Sequence, residues 1–532
     1  MAYECNQYPL PSPYPPPIGS TTCQASLKEW LGLAVLALPT ALLGLDVTIL
    51  YLALPALAVE LQPSSSQALW IMDAYGFMIA GFLITMGTLG DRIGRRRLLM
   101  IGTALFGTAS VAAAYATSAE MLIVARALLG IAGATLMPST LALISNLFGD
   151  ARQRALAIGI WATMFALGMA AGPVLGGWLL SHFWWGSAFL VAVPIAAVLL
   201  LTAPLLLPEY RAAHSERLDL ISVLLSLVAI LAVIYGLKEI AKTGLETGLE
   251  TVPVLAIALG IALGSVFVRR QGQLDSPLLD MRLFASRTFS SALIVLLLGL
   301  TTVAGVMLLV TQYLQLVAGL TPLAAGLWMG PPALMMVIAG ITAPLVARRV
   351  RPGYVVSAAL ALSTLGYLLL ALVGTSPDGV WTAIAGFSLV YLALGTLAAL
   401  GTELVIGTAP ANKAGSASAM SEMVQELGIA LGVALLGSLA SVIYRLQVGM
   451  TLVDMTQAGD LPATSAALVH DSLWTAISMS DQLPVQAVEG ARQAFTTGLN
   501  VTAAVSGIAI LALAIVSAIS LRHVPAQNDT PG

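Results

Sequence analysis

Fourteen mostly apolar stretches follow one another along this chain, near 30–58, 67–89, 98–117, 121–147, 154–181, 186–206, 219–238, 252–269, 288–317, 322–346, 353–374, 379–406, 413–444 and 494–521. A helix needs about 20 such residues to cross the hydrocarbon core of a bilayer. No water reaches that core, so each spanning segment must satisfy its own backbone N–H and C=O groups, which a helix does. Of all residues 58% are hydrophobic and 9% charged, where a soluble domain carries about 25% charged. The pattern predicts an all-α integral membrane protein of 14 transmembrane helices, with the lipid bilayer as its surroundings. A net charge of -3 offers nothing to nucleic acid, and no such partner is expected.

An even number of spans puts both termini on one side. Cytoplasmic loops collect Lys and Arg. With the termini inside, 18 of the 23 basic residues fall on inner segments. Four fall on outer segments, namely Lys238, Lys242, Arg445 and Arg492, and Arg126 lies within a span. A multi-pass protein of the bacterial cytoplasmic (inner) membrane, both termini cytoplasmic, is therefore expected. Residues 1–27 hold six prolines and no apolar core, unlike a cleavable signal, and read as a disordered tail. A peptide-docking role for its prolines is the less economical reading. Cys5 and Cys23 both lie in that tail, so no disulfide framework is expected.

Transporters are commonly built from repeated halves. The loop GTLGDRIGRRRLL at 87–99, between spans two and three, has a weaker echo in APLVARRVRPG at 343–353, between spans ten and eleven. The two correspond if spans 1–6 and 9–14 are equivalent bundles. The expected organisation is a tail at 1–28, an N-terminal six-helix bundle at 29–207, an inserted helix pair at 208–270 and a cytoplasmic linker at 271–287. A C-terminal six-helix bundle at 288–521 and a tail at 522–532 follow. The long outer segment 445–492 contains PATSAALVHDSLWTAIS, which reads as a short helical hairpin over the outer mouth.

Three motifs stand out. In the first loop, Gly90, Asp91, Arg92, Gly94 and Arg95 have an ordered spacing that a plain basic loop does not require. Glycine permits a tight turn there, and Asp91 can accept hydrogen bonds from a neighbouring helix start. Span five carries Gly168, Gly172, Pro173, Gly176 and Gly177: Gly172 and Gly176 share a face and let helices pack closely, and Pro173 bends the helix, which suits a segment that rocks between two conformations. The bland reading is ordinary packing. In span four, Arg126 precedes Gly130 and Gly133. A charge inside a span is expensive and marks function, unless it snorkels to the outer face.

Five carboxylates fall within spans: Asp46, Asp73, Glu403, Glu422 and Glu426. Glu422 and Glu426 are one turn apart and share a helix face. A carboxylate away from water is disfavoured unless it takes a proton or pairs with a cation, and it hardly does both. That competition is the chemistry of antiport. The structural alternative is a fixed ion pair, for instance Asp73 with Arg126. One intramembrane arginine cannot neutralise five acids. Aromatic residues near them, Tyr51, Trp70, Tyr75, Trp161 and Phe165, could hold flat cations by cation–π contact, though lipid-facing packing suits each equally. Trp184 and Trp185 read as an interfacial belt.

These stretches resemble the major facilitator superfamily, and within it the fourteen-helix drug:proton antiporters of the quaternary-ammonium and multidrug efflux type. The likeness is carried by LDVTILYLALPAL (45–57), LWIMDAY (69–75), GDRIGRRRLL (90–99), ARALLGIAGATLMPSTLALI (125–144), GMAAGPVLGGWLL (168–180) and SASAMSEMVQELG (416–428). The resemblance implies a major facilitator fold of two six-helix bundles plus two inserted helices. It implies proton-coupled export of hydrophobic cations, with Asp46, Asp73, Glu422 and Glu426 in proton coupling and cation recognition. Glu403 is added from its position, and Arg126 is expected as charge partner. A monomer without metal or cofactor is expected. The alternative within the same fold is an exporter of an endogenous metabolite, lipid or antibiotic. An ATP-driven pump lacks its phosphate cradle, since no lysine follows a glycine. An enzyme lacks a catalytic constellation: H-E-x-x-H is absent and the histidines are scattered at 182, 214, 470 and 523.

Overall fold

A computed structural model describes residues 25–148, 150–211, 219–243, 251–274, 277, 279, 281–376, 378–407, 414–457, 461–522 and 524. The proline-rich tail with Cys5 and Cys23 lies outside the described residues, as does most of the segment after 522. Among the described residues there is no strand, and 14 helices are long and apolar enough to cross a membrane. They are α1 (Leu27–Leu61), α2 (Ser65–Ile93), α3 (Arg95–Ala114), α4 (Ala119–Leu147), α5 (Ala151–His182), α6 (Ser187–Leu206) and α7 (Leu220–Thr243). Then follow α8 (Thr251–Gln271), α9 (Arg287–Val317), α10 (Pro322–Ala347), α11 (Pro352–Leu370), α12 (Gly379–Gly407), α13 (Ala414–Gln457) and α14 (Val485–Ser520).

Local chemistry starts these helices where side chains satisfy their first N–H groups. Ser26 and Glu29 form a capping box at α1, and Ser64 and Gln67 form one at α2. Several helices outrun the apolar runs that announce them. The α13 helix continues to Gln457, past the end expected at 444, and α14 begins at Val485 rather than near 494. Much of the expected outer loop is thus helix. Between them lie two short helices, Ala463–Asp471 and Leu473–Ser478. They are pinned by an Arg445–Asp471 ion pair of 2.9 Å and by Tyr444 Oη donating to the Val469 carbonyl at 2.7 Å.

The helices pair in one pattern used twice. In the first half α1 packs on α5, α2 on α4, and α3 on both α4 and α6. In the second α9 packs on α13, α10 on α12, and α11 on both α12 and α14. Two six-helix bundles result, and they meet through equivalent helices: α2 with α13, and α5 with α10. The inserted pair, α7 and α8, pack on each other, and α7 lies against both α2 and α13. At its foot Asp219 receives two hydrogen bonds from Arg270, 3.1 and 3.2 Å long. Burial pushes that carboxyl up, but the bonds from Arg270 and Ser222 outweigh burial and hold it below the ordinary value.

Small residues set how closely the first bundle packs. A methyl group at Gly168 would stand 2.1 Å from the Ala41 carbonyl oxygen, and one at Gly172 would stand 1.9 Å from Thr48 Oγ1. The span-five glycines therefore bring α5 against α1. At the α2–α3 junction Gly94 has φ +111°, a conformation that favours glycine. Asp91 pairs with the side chain of Arg95 at 2.7 Å. The exposed backbone N–H of the α3 start, at Arg96, is taken by Glu209 instead, at 3.1 Å. Asp91 thus accepts from the first side chain of α3, at 2.9 Å, while the backbone there turns to Glu209. A helix start needs an acceptor beyond its first turn, and the chain following α6 supplies it.

Candidate functional site

The five intramembrane carboxylates divide into two groups. Asp46, from α1, and Arg126, from α4, form an ion pair of 2.7 Å. Arg126 also donates from Nε to the Ile71 carbonyl at 3.2 Å, and its guanidinium lies 4.4 Å from the centre of the Tyr75 ring. It is 2% exposed, so it does not snorkel. Asp73, from α2, does not pair with Arg126 as the structural alternative supposed. Its partner is Lys238 of α7, at 2.5 Å, and the ammonium lies 4.2 Å from the centre of the Trp70 ring.

Lys238, expected on an outer segment, lies instead within the apolar span of α7. The α7 helix runs to Thr243 and buries Lys238 to 2% exposure. The misreading has a physical source, for the run LKEIAK is polar enough to end an apolar window. One signal was present: Lys238 follows Ile234 by four residues, on the face that α7 turns inward. Ile234 is buried with Phe77, Ala430 and Ala434.

The second group, Glu403, Glu422 and Glu426, lines one cavity of about 570 Å³ between the bundles. The first bundle contributes Tyr51, Met137, Trp161, Phe165 and Met169, and the second adds Met307, Met336, Tyr391, Thr402 and Gln425. Trp161 is held by its Nε1 donating to Thr140 Oγ1 at 3.0 Å. Of the five aromatic residues expected near the acids, Tyr51, Trp161 and Phe165 line this space. Trp70 and Tyr75 do not, since they cover Lys238 and Arg126. Trp185 is also not a belt residue: it is buried, and its Nε1 donates to Glu60 at 2.7 Å. Trp184 remains exposed beside Tyr115.

The cavity reaches Leu141, Ile158 and Gly407, near the helix ends on the face that also carries the arginine-rich α2–α3 junction. On the opposite face the bundles touch. A methyl group at Gly326 would stand 2.2 Å from the Pro173 carbonyl oxygen, and one at Gly177 would stand 2.5 Å from that of Pro322. Gln315 donates across the same seam to the Leu52 carbonyl at 3.2 Å, and Ser65 donates to the Asp471 carbonyl at 2.5 Å. The space is open towards the basic face and shut at the other. Pro173 and Gly177 thus sit at the seam, while Gly176 faces Ile49 of α1 within the first bundle.

A sequence profile of the Major Facilitator Superfamily matches residues 36–433, three quarters of the chain. The chain belongs to the major facilitator superfamily. Among relatives in that superfamily, the "Multidrug efflux pump LfrA" of Mycolicibacterium smegmatis is 40% identical over 94% of this chain and 98% of its own. The "Methyl viologen resistance protein SmvA" of Salmonella typhimurium is 34% identical over 92% and 97%. A crystal structure of a bacterial homologue of the human lysosomal transporter Spinster, inward-facing and occupied, superposes with a TM-score of 0.65 at 14% identity. It covers 94% of this chain and 98% of its own, and at that identity the likeness concerns the major facilitator fold alone.

Proposed function

We propose that this superfamily member is a proton-coupled exporter of hydrophobic and quaternary-ammonium cations, acting as a monomer by alternating access. The reading rests on one observation above all. Three glutamates from the second bundle share a single cavity with aromatic and thioether side chains of both bundles. An apolar enclosure draws in a hydrophobic cargo, and the carboxylates select for positive charge. Each carboxylate binds either a proton or the cargo, so arrival of one releases the other.

The sides follow from charge. If the arginine-rich face is cytoplasmic, both termini are inside and the cavity faces the cytosol of a bacterial inner membrane. Cargo then enters from within, and protons returning down their gradient drive its release outward. Each charge crossing the membrane is worth about 2.3 kcal/mol per 100 mV, enough for one or two protons to sustain a steep concentration ratio. The efflux and resistance functions carried in the names of both relatives agree with this direction.

The five acids then take different parts. Glu403, Glu422 and Glu426 meet cargo and proton in the state seen here. Asp46 and Asp73 are already neutralised by Arg126 and Lys238, and they join the cycle when the bundles rock and those pairs open. In proteoliposomes, a proton gradient should drive ethidium transport that an uncoupler abolishes. Glu422→Gln and Glu426→Gln should lower the proton-driven rate at least tenfold, the scale of one lost charge contact, with thermal stability little changed. Transport that survives collapse of the gradient would refute the coupling, and normal transport in both variants would refute the assignment of the glutamates.

A further inference from the structure

The Asp73–Lys238 pair has the composition of a ligand site. A carboxylate and the face of an indole are what proteins use to hold an ammonium ion. Here both face one ammonium, which belongs to the protein. Lys238 Nζ lies 2.5 Å from Asp73 Oδ2 and 4.2 Å from the centre of the Trp70 ring. Asp73 is 1% exposed. Beyond that ion pair, neither of its oxygens has a hydrogen-bond partner among the described residues. Tyr75, two residues on, is turned to Arg126 and does not complete the carboxylate's shell.

The position is as telling as the chemistry. Asp73 and Trp70 belong to α2, which meets α13 across the seam between the bundles. Gly76 of α2 lies against Ala430 of α13, where a methyl group would stand 3.0 Å from the alanine Cβ. Glu426 is one turn along α13 from Ala430 and lines the cavity. The site therefore stands one helix behind the cargo space. Lys238 comes from neither bundle. It is carried by α7, which packs on α2 and α13 together. Any motion that parts α2 from α13 must shift at least one of them against α7.

We propose that Asp73 and Trp70 form a second ammonium site, filled in this state by Lys238, and that Lys238 is a built-in competitor which sets how tightly cationic cargo binds at Asp73. The inference rests on the reading that the cargo is a cation. It adds a specificity-determining residue in the inserted pair. With the lysine seated, Asp73 is closed to cargo. When the bundles rock and α7 shifts, the carboxylate and indole face become available, and a cargo holds them only by outcompeting the tethered ammonium.

The test uses the purified full-length protein and n-propylammonium, which has the length of the lysine side chain beyond Cβ. In Lys238→Ala, propylammonium should raise Tm. Wild type and the Asp73→Asn/Lys238→Ala double variant should show no shift. In proteoliposomes the ethidium KM of Lys238→Ala should fall about tenfold, the scale of one competing contact removed. Propylammonium should return KM towards the wild-type value. Absence of a propylammonium shift in Lys238→Ala, or an equal shift in the double variant, overturns the site. A Tm shift with KM unchanged or raised overturns the competitor role. If Lys238→Ala fails to accumulate, Lys238→Gln decides the matter, a lowered KM supporting the proposal and a wild-type KM overturning it. If no form of the protein carries ethidium, the export reading fails, whereas the Tm measurement still reports on the ammonium site.

Discussion

Arg126 shows what a single buried charge demands of its neighbours. It is tied to Asp46, to the Ile71 carbonyl and to the Tyr75 ring. Breaking a buried pair by removing one partner costs about 3–5 kcal/mol, because the other charge is left unpaired, while replacing both is often nearly neutral. Asp46→Asn should therefore lower stability by about 3 kcal/mol, and Asp46→Asn/Arg126→Met should recover most of that loss. Thermal unfolding in detergent measures both. At this scale the sequence revealed depth but not partnership. Asp46, Asp73 and Arg126 were recognisable as intramembrane charges from their apolar surroundings. Which acid takes the arginine depends on how α1, α2 and α4 are rotated about their axes, and helical periodicity leaves that open when apolar residues cover every face. Lys238 reads as an outer residue for a different reason, since it sits in the polar end of its own span.

The pairing of α1 with α5 is governed by backbone proximity, and its glycines are not interchangeable. A side chain at Gly172 meets Thr48 Oγ1 at 1.9 Å and the Leu45 carbonyl at 3.2 Å, whereas Gly159 of the same helix has nothing within 4 Å. Gly172→Val should cost about 1–3 kcal/mol from overpacking and should reduce transport with it. Gly159→Ala should be neutral or stabilising by up to about 1 kcal/mol, because alanine restricts the unfolded chain and favours the helix. Thermal unfolding of the two variants side by side checks the contrast. Elements were the most legible level. Fourteen spans were readable because apolar length alone decides what crosses a bilayer. The ends were less so: α13 and α14 continue beyond the hydrocarbon-like runs, where polar residues such as Arg445 and Arg492 remain helical. The Glu209 contact at the start of α3 joins residues over 100 positions apart in sequence, and no local pattern announces it.

At the scale of the whole molecule the two bundles meet where α2 packs on α13. Gly76 and Ala430 face each other there, a methyl group at Gly76 standing 3.0 Å from the alanine Cβ, so the two helices need to ease apart by only about 0.5 Å to reach disulfide spacing. In a background where Cys5 and Cys23 are serine, Gly76→Cys/Ala430→Cys should oxidise to a crosslink that stops ethidium efflux, and a reductant should restore it. Loss of efflux without crosslinking, or crosslinking without loss, would place the moving boundary elsewhere. The repeated helix pairing was foreshadowed by the echo between 87–99 and 343–353. The seam itself was not, because contacts between bundles depend on conformation as well as on chain order. Four methionines, Met137, Met169, Met307 and Met336, stand among the residues around the central space. Unbranched thioether chains change rotamer at little cost and offer polarisable surface in many directions. An enclosure of that kind takes the outline of its occupant, so charge and bulk would decide admission here, and molecules of quite unlike shape would pass by the same route.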